Sequence, residues 1–374
     1  MDPERANRLR SDFSAAQEAV KTGVSAGRAS SAIVVWNIWS AFTSELGLDP
    51  FLQAFPDKIP FLQIFAVRVR CGELSASGCA VRARSAEDYV RHVAQAFLNV
   101  GAEDPRLNSA HQIDFRLQRM IKSWKSSDPA PLRVKPIPIQ VIRRVATLSQ
   151  LSSANDSLYQ ATTDMIILAF FFLLRPGEYT DNDNTPFCLK DVQLFIGPRC
   201  LNLQTSSAAE LAQARFGSLT FTDQKNGVRG EVIAQASTGD SFVCPVKSLV
   251  RHILYLRSHN APPTTPLSRV FNTPARVTPS VLTATLRDCV QYLGPDLGFL
   301  PSKVSARSLR AAGATALLLA RVDTDVIRLI GQWRSDEMLR YLHVQAYPLM
   351  RNYSRLMLDA GDYTLIPNQL VPQR

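Results

Sequence analysis

Two arginines stand at the head of an otherwise small and apolar helical segment, residues 305–322 (SARSLRAAGATALLLARV). Arg307 and Arg310 are three residues apart, so a helix makes them neighbours on one face. Two like charges this close repel each other unless an anion or a carboxylate lies between them. Because the planar guanidinium binds pairs of oxygen atoms bidentately, the spacing predicts a phosphate or carboxylate pocket at the start of a buried helix.

A third arginine follows the most apolar stretch of the chain. Arg175 lies in the segment LLRPGEYT (173–180), which overlaps the end of the run MIILAFFFLL (165–174). A charge in that setting needs a partner, because an unpaired buried ion is costly. Two partners are compatible with the sequence: Glu178, three residues on, in a structural ion pair, or an external anion.

A lysine precedes a predicted reverse turn. Lys225 stands directly before Asn226-Gly227, a dipeptide typical of the tight turn of a β-hairpin. Most lysines at turns are simply solvated. A lysine held on a hairpin tip can also reach into a cleft and act there as a mobile acid.

A tyrosine lies among basic residues in the segment RLIGQWRSDEMLRYLHVQ (328–345). A helix that ends at Gly331 is followed by Ser335, which predicts the N-cap of a further short helix. The second turn of that helix presents Tyr341. Its phenol is either a core aromatic group or a nucleophile, and this segment alone leaves both interpretations open.

The composition is that of a globular protein with a positive excess. The 374 residues carry a net charge of +10, which favours a polyanionic partner such as nucleic acid or an anionic membrane surface. The longest apolar run has ten residues, too few to span a bilayer, and the charged N-terminal segment does not resemble a signal peptide. The six cysteines have no CxxC spacing and no neighbouring histidines, which predicts free intracellular thiols and no zinc site.

The elements divide the chain into two regions. Apolar periodicity predicts an all-helical region over residues 1–125, with helices at 30–47, 59–74, 85–101 and 106–125. Residues 126–138 contain four prolines and no periodicity, as is typical of a linker. Residues 139–374 mix helices with strand-like segments at 187–196, 201–207, 216–237 and 241–245. The sequence therefore predicts two domains joined at 126–138.

Basic residues recur at intervals of three on the fourth of these helices, and two more stand in the linker. The set is Arg116, Arg119, Lys122, Lys125, Arg133 and Lys135. Such a stripe either contacts phosphate groups or is an ordinary solvated helix face. We expect phosphate contact, since the whole chain is basic.

Taken in chain order, the chemically interesting residues resemble the motifs of the tyrosine recombinases, also called the phage-integrase family. That family shows an arginine in an LR-x-x-E context, a hairpin lysine, an H-x-L-R motif, a G-H/W motif and a tyrosine nine residues after that His or Trp. Here Tyr341 follows Gln332 by nine residues and Arg310 by 31. The segment 308–333 is similar to the family's signature helix pair, and 331–345 looks closest to recombinases of DIRS and Crypton mobile elements. The resemblance covers 160–345 and extends weakly to 30–125.

The resemblance implies a fold, an activity and a role for each residue. The fold would be mainly α with a small antiparallel sheet in a catalytic domain at 139–374, after an all-α core-binding domain at 1–125. The activity would be site-specific DNA recombination through a covalent 3′-phosphotyrosine, with no metal ion, no ATP and no other cofactor. Tyr341 would be the nucleophile, Arg175 and Arg310 the phosphate clamp, Lys225 the general acid and Glu178 the residue that orients Arg175.

Two positions depart from the family's pattern. Arg307 occupies the usual histidine position, and an arginine cannot accept a proton there because its pKa exceeds about 12. Gln332 occupies the His/Trp position, with Trp333 beside it. Gln332 could donate a hydrogen bond to phosphate, and Trp333 could supply the packing of the family's tryptophan. Tyr347 and Tyr353 are rival nucleophiles by spacing, although Pro348 marks a helix boundary directly after Tyr347.

The resemblance also implies partners and leaves alternatives. We expect double-stranded DNA as the partner, a homotetramer on DNA, a monomer or weak dimer without it, and an intracellular location with DNA, in the nucleus if the source is eukaryotic. The first alternative is a catalytically inactive DNA-binding relative, motivated by Arg307 and Gln332. A DNA-relaxing topoisomerase with the same chemistry and a helical scaffold unrelated to DNA are the others.

Overall fold

The computed structural model describes residues 3–24, 26–130, 134–151, 157–181, 185–222, 229–294 and 297–333. The chain divides into two compact units, Met1–Pro131 and Leu132–Arg374. Each unit encloses a hydrophobic core of its own. The two units are therefore described separately.

In the described part of the first unit, the regular elements are helices. An aromatic cluster fills its core, where the ring centroids of Trp39 and Phe65 are 5.1 Å apart and Phe42 lies against both rings. The Trp39 indole N–H donates to the Pro50 carbonyl over 2.7 Å, so this buried aromatic residue is also satisfied as a donor. The five helices are α1 (Pro3–Thr22), α2 (Ala26–Glu45), α3 (Ile59–Cys71), α4 (Ala83–Asn99) and α5 (Phe115–Ser127).

The fourth predicted helix is shorter than its sequence pattern indicated. The prediction of a helix from residue 106 is wrong, because α5 begins at Phe115. The Asp114 side chain caps α5 by accepting from the Arg116 N–H over 2.8 Å, and the Asn108 side chain accepts from two loop N–H groups. Short polar side chains that bond to nearby backbone in this way compete with helix formation.

The second unit is built around one deeply buried helix. Residues 161–170 of α7 are all buried, and α7 packs against α6, α10 and α12. None of the described helices combines the length and hydropathy needed to cross a lipid bilayer. The helices of this unit are α6 (Ile139–Leu151), α7 (Ser157–Phe171), α8 (Pro176–Tyr179), α9 (Ala208–Leu211), α10 (Pro245–Ser258), α11 (Pro279–Leu293), α12 (Ser308–Leu319) and α13 (Thr324–Ile330).

A four-stranded antiparallel sheet completes the second unit, with strand order β2-β1-β3-β4. The pairing of β3 with β4 confirms the predicted hairpin, whose turn, with Lys225, lies outside the described residues. The predicted strands at 201–207 and 241–245 are wrong, because these segments form turns that lead into α9 and α10. The expected fold class, mainly α with a small antiparallel sheet, is confirmed. The strands are β1 (Val192–Ile196), β2 (Arg199–Cys200), β3 (Phe216–Thr220) and β4 (Val232–Ala236).

Candidate active site

Arg310 lies at the centre of the candidate site, in the first turn of α12. Its side chain is only 3% exposed, so the guanidinium needs partners within the protein. One terminal nitrogen donates to the Leu173 carbonyl over 2.5 Å, and the other donates to the Gly331 carbonyl. The guanidinium carbon lies 4.2 Å from the centre of the Trp333 ring, within range of a cation–π interaction. Arg310 thereby joins three segments that are distant in the sequence.

A glycine allows α12 to approach α7 closely enough for these contacts. A Cβ atom added to Gly313 would lie 2.2 Å from the Phe170 carbonyl oxygen and 2.4 Å from a methyl group of Leu173. Any other residue would force the two helices apart. Because Gly313 is one turn after Arg310, this close approach also sets the distance between Arg310 and the Leu173 carbonyl.

The segment after α13 folds back over its own glycine. A Cβ atom on Gly331 would fall within 1.7 Å of the Trp333 ring, so only glycine fits beneath that ring. The Trp333 N–H donates to the Arg328 carbonyl over 3.0 Å, and the ring packs into a small cluster with Leu173 and Ile327. This packing holds the Trp333 ring against the guanidinium of Arg310.

Gln332, between Gly331 and Trp333, has an unusual backbone conformation and an unsatisfied side chain. Its φ is +53°, in the left-handed region that a residue with a side chain rarely adopts. Both polar atoms of its side-chain amide are buried, and neither has a hydrogen-bond partner among the described residues. A strained backbone and a buried unsatisfied amide each cost free energy, and such features cluster at functional sites. Gln332 directly follows Gly331, whose backbone carbonyl accepts a hydrogen bond from Arg310.

Arg175 follows α7 and forms an ion pair with Glu178. One terminal nitrogen donates to a Glu178 carboxylate oxygen over 2.9 Å, and the other oxygen accepts from the Arg175 backbone N–H over 2.7 Å. The carboxylate is buried, whereas 33% of the Arg175 side chain remains exposed. The structural ion pair that the sequence allowed is therefore present, and a third of the Arg175 side chain remains exposed beside it.

Tyr179 was not identified as a site residue from the sequence. It is fully buried, and burial raises the pKa of its phenol well above the usual range, so the hydroxyl stays protonated. That hydroxyl donates to the Ala306 carbonyl over 3.3 Å, directly before Arg307. Tyr179 therefore connects α8, which begins directly after Arg175, to the residues that precede α12. Its position directly after Glu178 was the only available sequence signal.

The two arginines at the head of α12 do not share one environment. Arg307 is exposed at the N-cap position and has no ion pair among the described residues, whereas Arg310 is buried. The anion pocket predicted for both guanidinium groups therefore stays a prediction, and the structure buries only Arg310 of the two. Tyr341 and Lys225 lie outside the described residues, as do the rival tyrosines and Arg133.

The basic face of α5 is partly neutralised by acidic neighbours. Arg116 binds Asp57 over 2.7 Å and Asp114 over 3.0 Å, and these bonds lower the pKa of both carboxyl groups. Lys125 pairs with Glu87 over 2.6 Å. Arg119 and Lys122 are exposed beside a groove of about 850 Å³ that includes both among its lining residues, and Arg119 lies over the Phe115 ring.

The Lys135 backbone N–H donates to the Lys303 carbonyl over 2.9 Å, which fixes the start of the second unit against the loop before α12. Within the described ranges, no group of three or more His, Cys, Asp or Glu side chains is arranged to hold a metal ion.

No protein-family model matches the chain, and no curated protein matches it. Its structure is similar to solved structures of integrases and recombinases. The Tn1549 transposon integrase in complex with circular intermediate DNA is 15% identical, over 78% of this chain and 83% of that one, with a TM-score of 0.43. The XerA recombinase is 15% identical over 91% and 95%, with a TM-score of 0.35. The Flpe–Holliday junction complex is 11% identical over 90% and 84%, with a TM-score of 0.35.

Proposed function

We propose that the protein is a site-specific DNA recombinase that cuts and rejoins DNA through a covalent 3′-phosphotyrosine at Tyr341. The observation that carries the proposal is Arg310, which bonds both to Leu173, two residues before Arg175, and to Gly331, ten residues before Tyr341 in the sequence. A buried guanidinium between these two segments would stabilise the negative charge that develops on phosphate during phosphoryl transfer.

In the proposed reaction the Tyr341 phenolate attacks a backbone phosphorus atom of DNA. A bond forms between the phenol oxygen and phosphorus, and the bond from phosphorus to the 5′-oxygen breaks. Lys225 gives its proton to that leaving oxygen, and the reverse steps rejoin the strand. Tyrosine has an unperturbed pKa of about 10, so nearby cations are needed to favour the phenolate.

The contacts of the two arginines support different roles in charge stabilisation. Glu178 binds one terminal nitrogen of Arg175, whose side chain is one-third exposed, and the other terminal nitrogen would bind the non-bridging phosphate oxygens. Arg310 already donates to two main-chain carbonyls, so phosphate has to compete with the Gly331 carbonyl for one of these nitrogens. The buried Gln332 amide is adjacent to that carbonyl and supplies a further donor. Removing one preorganised donor typically lowers the rate about 10²–10³-fold.

The second candidate is a catalytically inactive DNA-binding relative. Two observations favour it: Arg310 has both terminal nitrogens bonded to carbonyls, and the exposed Arg307 replaces a residue able to accept the tyrosine proton. In this alternative the same cations bind phosphate without chemistry.

The helical region 1–125 and the domain 139–374, joined by the linker 126–138, would both contact duplex DNA. Arg119 and Lys122 on α5, together with Arg133 and Lys135, would contact phosphates, so affinity should fall steeply with salt. The remaining parts of the proposal are a tetramer on DNA, a mobile-element origin and a location with DNA inside the cell.

A covalent-trapping experiment tests the proposal. The wild type, Tyr341→Phe and Tyr347→Phe are incubated with a library of nicked duplexes of random sequence, and protein–DNA adducts that survive denaturant are isolated and sequenced. We expect adducts with the wild type and with Tyr347→Phe, and none with Tyr341→Phe. Tight binding by the wild type without any adduct would favour the inactive relative, and an adduct retained in Tyr341→Phe would reject Tyr341 as the nucleophile.

A further inference from the structure

The first helix of the chain carries an apolar stripe that nothing in the described structure covers. In α1 the side chains of Leu9, Phe13 and Val20 are 60%, 64% and 69% exposed. Single exposed apolar residues are common on protein surfaces, but a continuous stripe marks an interaction site. The stripe lies on an otherwise polar helix that includes Arg5, Arg8, Arg10 and Asp12.

The spacing of the stripe is that of a coiled-coil seam. Its apolar positions are residues 6, 9, 13, 16 and 20, which alternate in steps of three and four. This is the a/d pattern of a heptad repeat, in which a second helix packs against the seam. Most of a helix's stability in a protein comes from the packing of its apolar face, so packing of the seam would stabilise α1.

The sizes of the seam residues indicate which helix fits. In a parallel pair each residue meets its own copy, so a wide Phe13–Phe13 layer would stand next to a narrow layer of two copies of Ala16. In an antiparallel pair with residues 9 and 20 opposite each other, Phe13 packs against Ala16 and Leu9 against Val20. The layers that contain Leu9, Phe13, Ala16 and Val20 then have similar widths, as close packing requires.

The charges flanking the seam favour the same orientation. With Ala6 at position a, Arg5 occupies position g and Arg10 position e. A parallel pair would place Arg5 of one helix beside Arg10 of the other on both flanks, where like charges repel. In the antiparallel register Arg5 lies beyond the end of the partner's seam, and no arginine faces another.

We propose that α1 is a self-association surface, and that its occupant is α1 of a second copy of this chain, packed antiparallel. The inference does not depend on the proposed function, because it concerns the protein without DNA. It assigns to the N-terminal helix the contact through which two protomers meet before any DNA is bound.

Sedimentation velocity of the full chain without DNA, over a concentration series, tests the proposal. We expect a concentration-dependent dimer, and we expect Phe13→Asp to raise its dissociation constant by about a hundredfold or more. Ser14→Asp adds the same charge to the neighbouring position outside the seam and should leave the dissociation constant within about twofold. Circular dichroism of both variants checks that the helices remain folded.

Disulfide trapping tests the orientation, in a background where the exposed Cys71, Cys79 and Cys200 are replaced by serine. A mixture of Leu9→Cys and Val20→Cys proteins should form the mixed disulfide dimer, whereas each variant alone should not. Sedimentation as a monomer at every concentration, or a dimer equally strong in Phe13→Asp, would overturn the proposal. Efficient self-linking of Leu9→Cys alone would overturn the antiparallel arrangement.

Discussion

The close packing of α12 on α7 leads to a quantitative prediction for Gly313→Ala. The new methyl group would lie 2.2 Å from the Phe170 carbonyl oxygen, whereas ordinary contacts begin at 3.4 Å. The helix must therefore move outward by about 1 Å, since a backbone oxygen cannot rotate away. That movement lengthens the 2.5 Å bond between Arg310 and the Leu173 carbonyl to the limit of a hydrogen bond.

Three contributions set the size of the effect. Overpacking costs about 1–3 kcal/mol, and the loss of a hydrogen bond to a charged group costs about 1.5–3 kcal/mol. Alanine recovers about 1 kcal/mol because it favours the helix more than glycine does. We therefore expect Gly313→Ala to lower the free energy of unfolding by about 1.5–5 kcal/mol.

Urea denaturation of the full chain measures this change, and DNA trapping measures its effect on the candidate site. Ala316→Gly, at an exposed position of the same helix, is the matched control and should cost about 1 kcal/mol without affecting trapping. A Gly313→Ala protein as stable as the wild type, or more stable, would refute the packing argument, because propensity alone predicts a gain.

Three further predictions concern buried and basic groups. Burial lowers the pKa of His252 to about 4, so the unfolded chain takes up its proton first and stability should fall by up to about 3 kcal/mol as the pH drops from 6.5 to 4. Denaturation of His252→Leu across this range should show a flatter pH profile. Arg251→Met should cost about 3–5 kcal/mol by leaving the buried Asp164 unpaired, and adding Asp164→Leu should restore part of it. In salt titrations of DNA binding, Arg119→Gln should reduce the slope by about 1, whereas Arg116→Gln, whose charge is already paired, should change it less.

Local patterns predicted much of the fold. The periodic apolar residues of α2, α3 and α4 indicated helices because their faces pack into one core, and the Asn-Gly turn indicated the β3–β4 hairpin. The loop at 106–114 was missed because Asn108 and Asp114 bond to nearby backbone, which an apolar pattern does not reveal. The two-residue strand β2 was missed because it has too few residues to show any alternation.

The candidate site was predictable in its residue types but not in its contacts. The spacing of Arg175 and Glu178 indicated their ion pair, which is local. By contrast, the buried position of Arg310 depends on its bond to the carbonyl of Leu173, 137 residues earlier. It also depends on Gly313, which lets α12 pack closely against α7. Helix spacing placed Arg307 beside Arg310, but only the packing of the whole unit decides which of two neighbouring side chains faces inward.

The bonds of Arg310 have a consequence for the order in which this protein matures. Its partners lie 137 residues before it and 21 residues after it, so closing both contacts requires nearly the whole second unit. During synthesis the Arg310 guanidinium cannot bind both carbonyls until residue 333 has left the ribosome and α12 has packed against α7. Truncated translation products would therefore lack the assembled site, even where their first unit is folded.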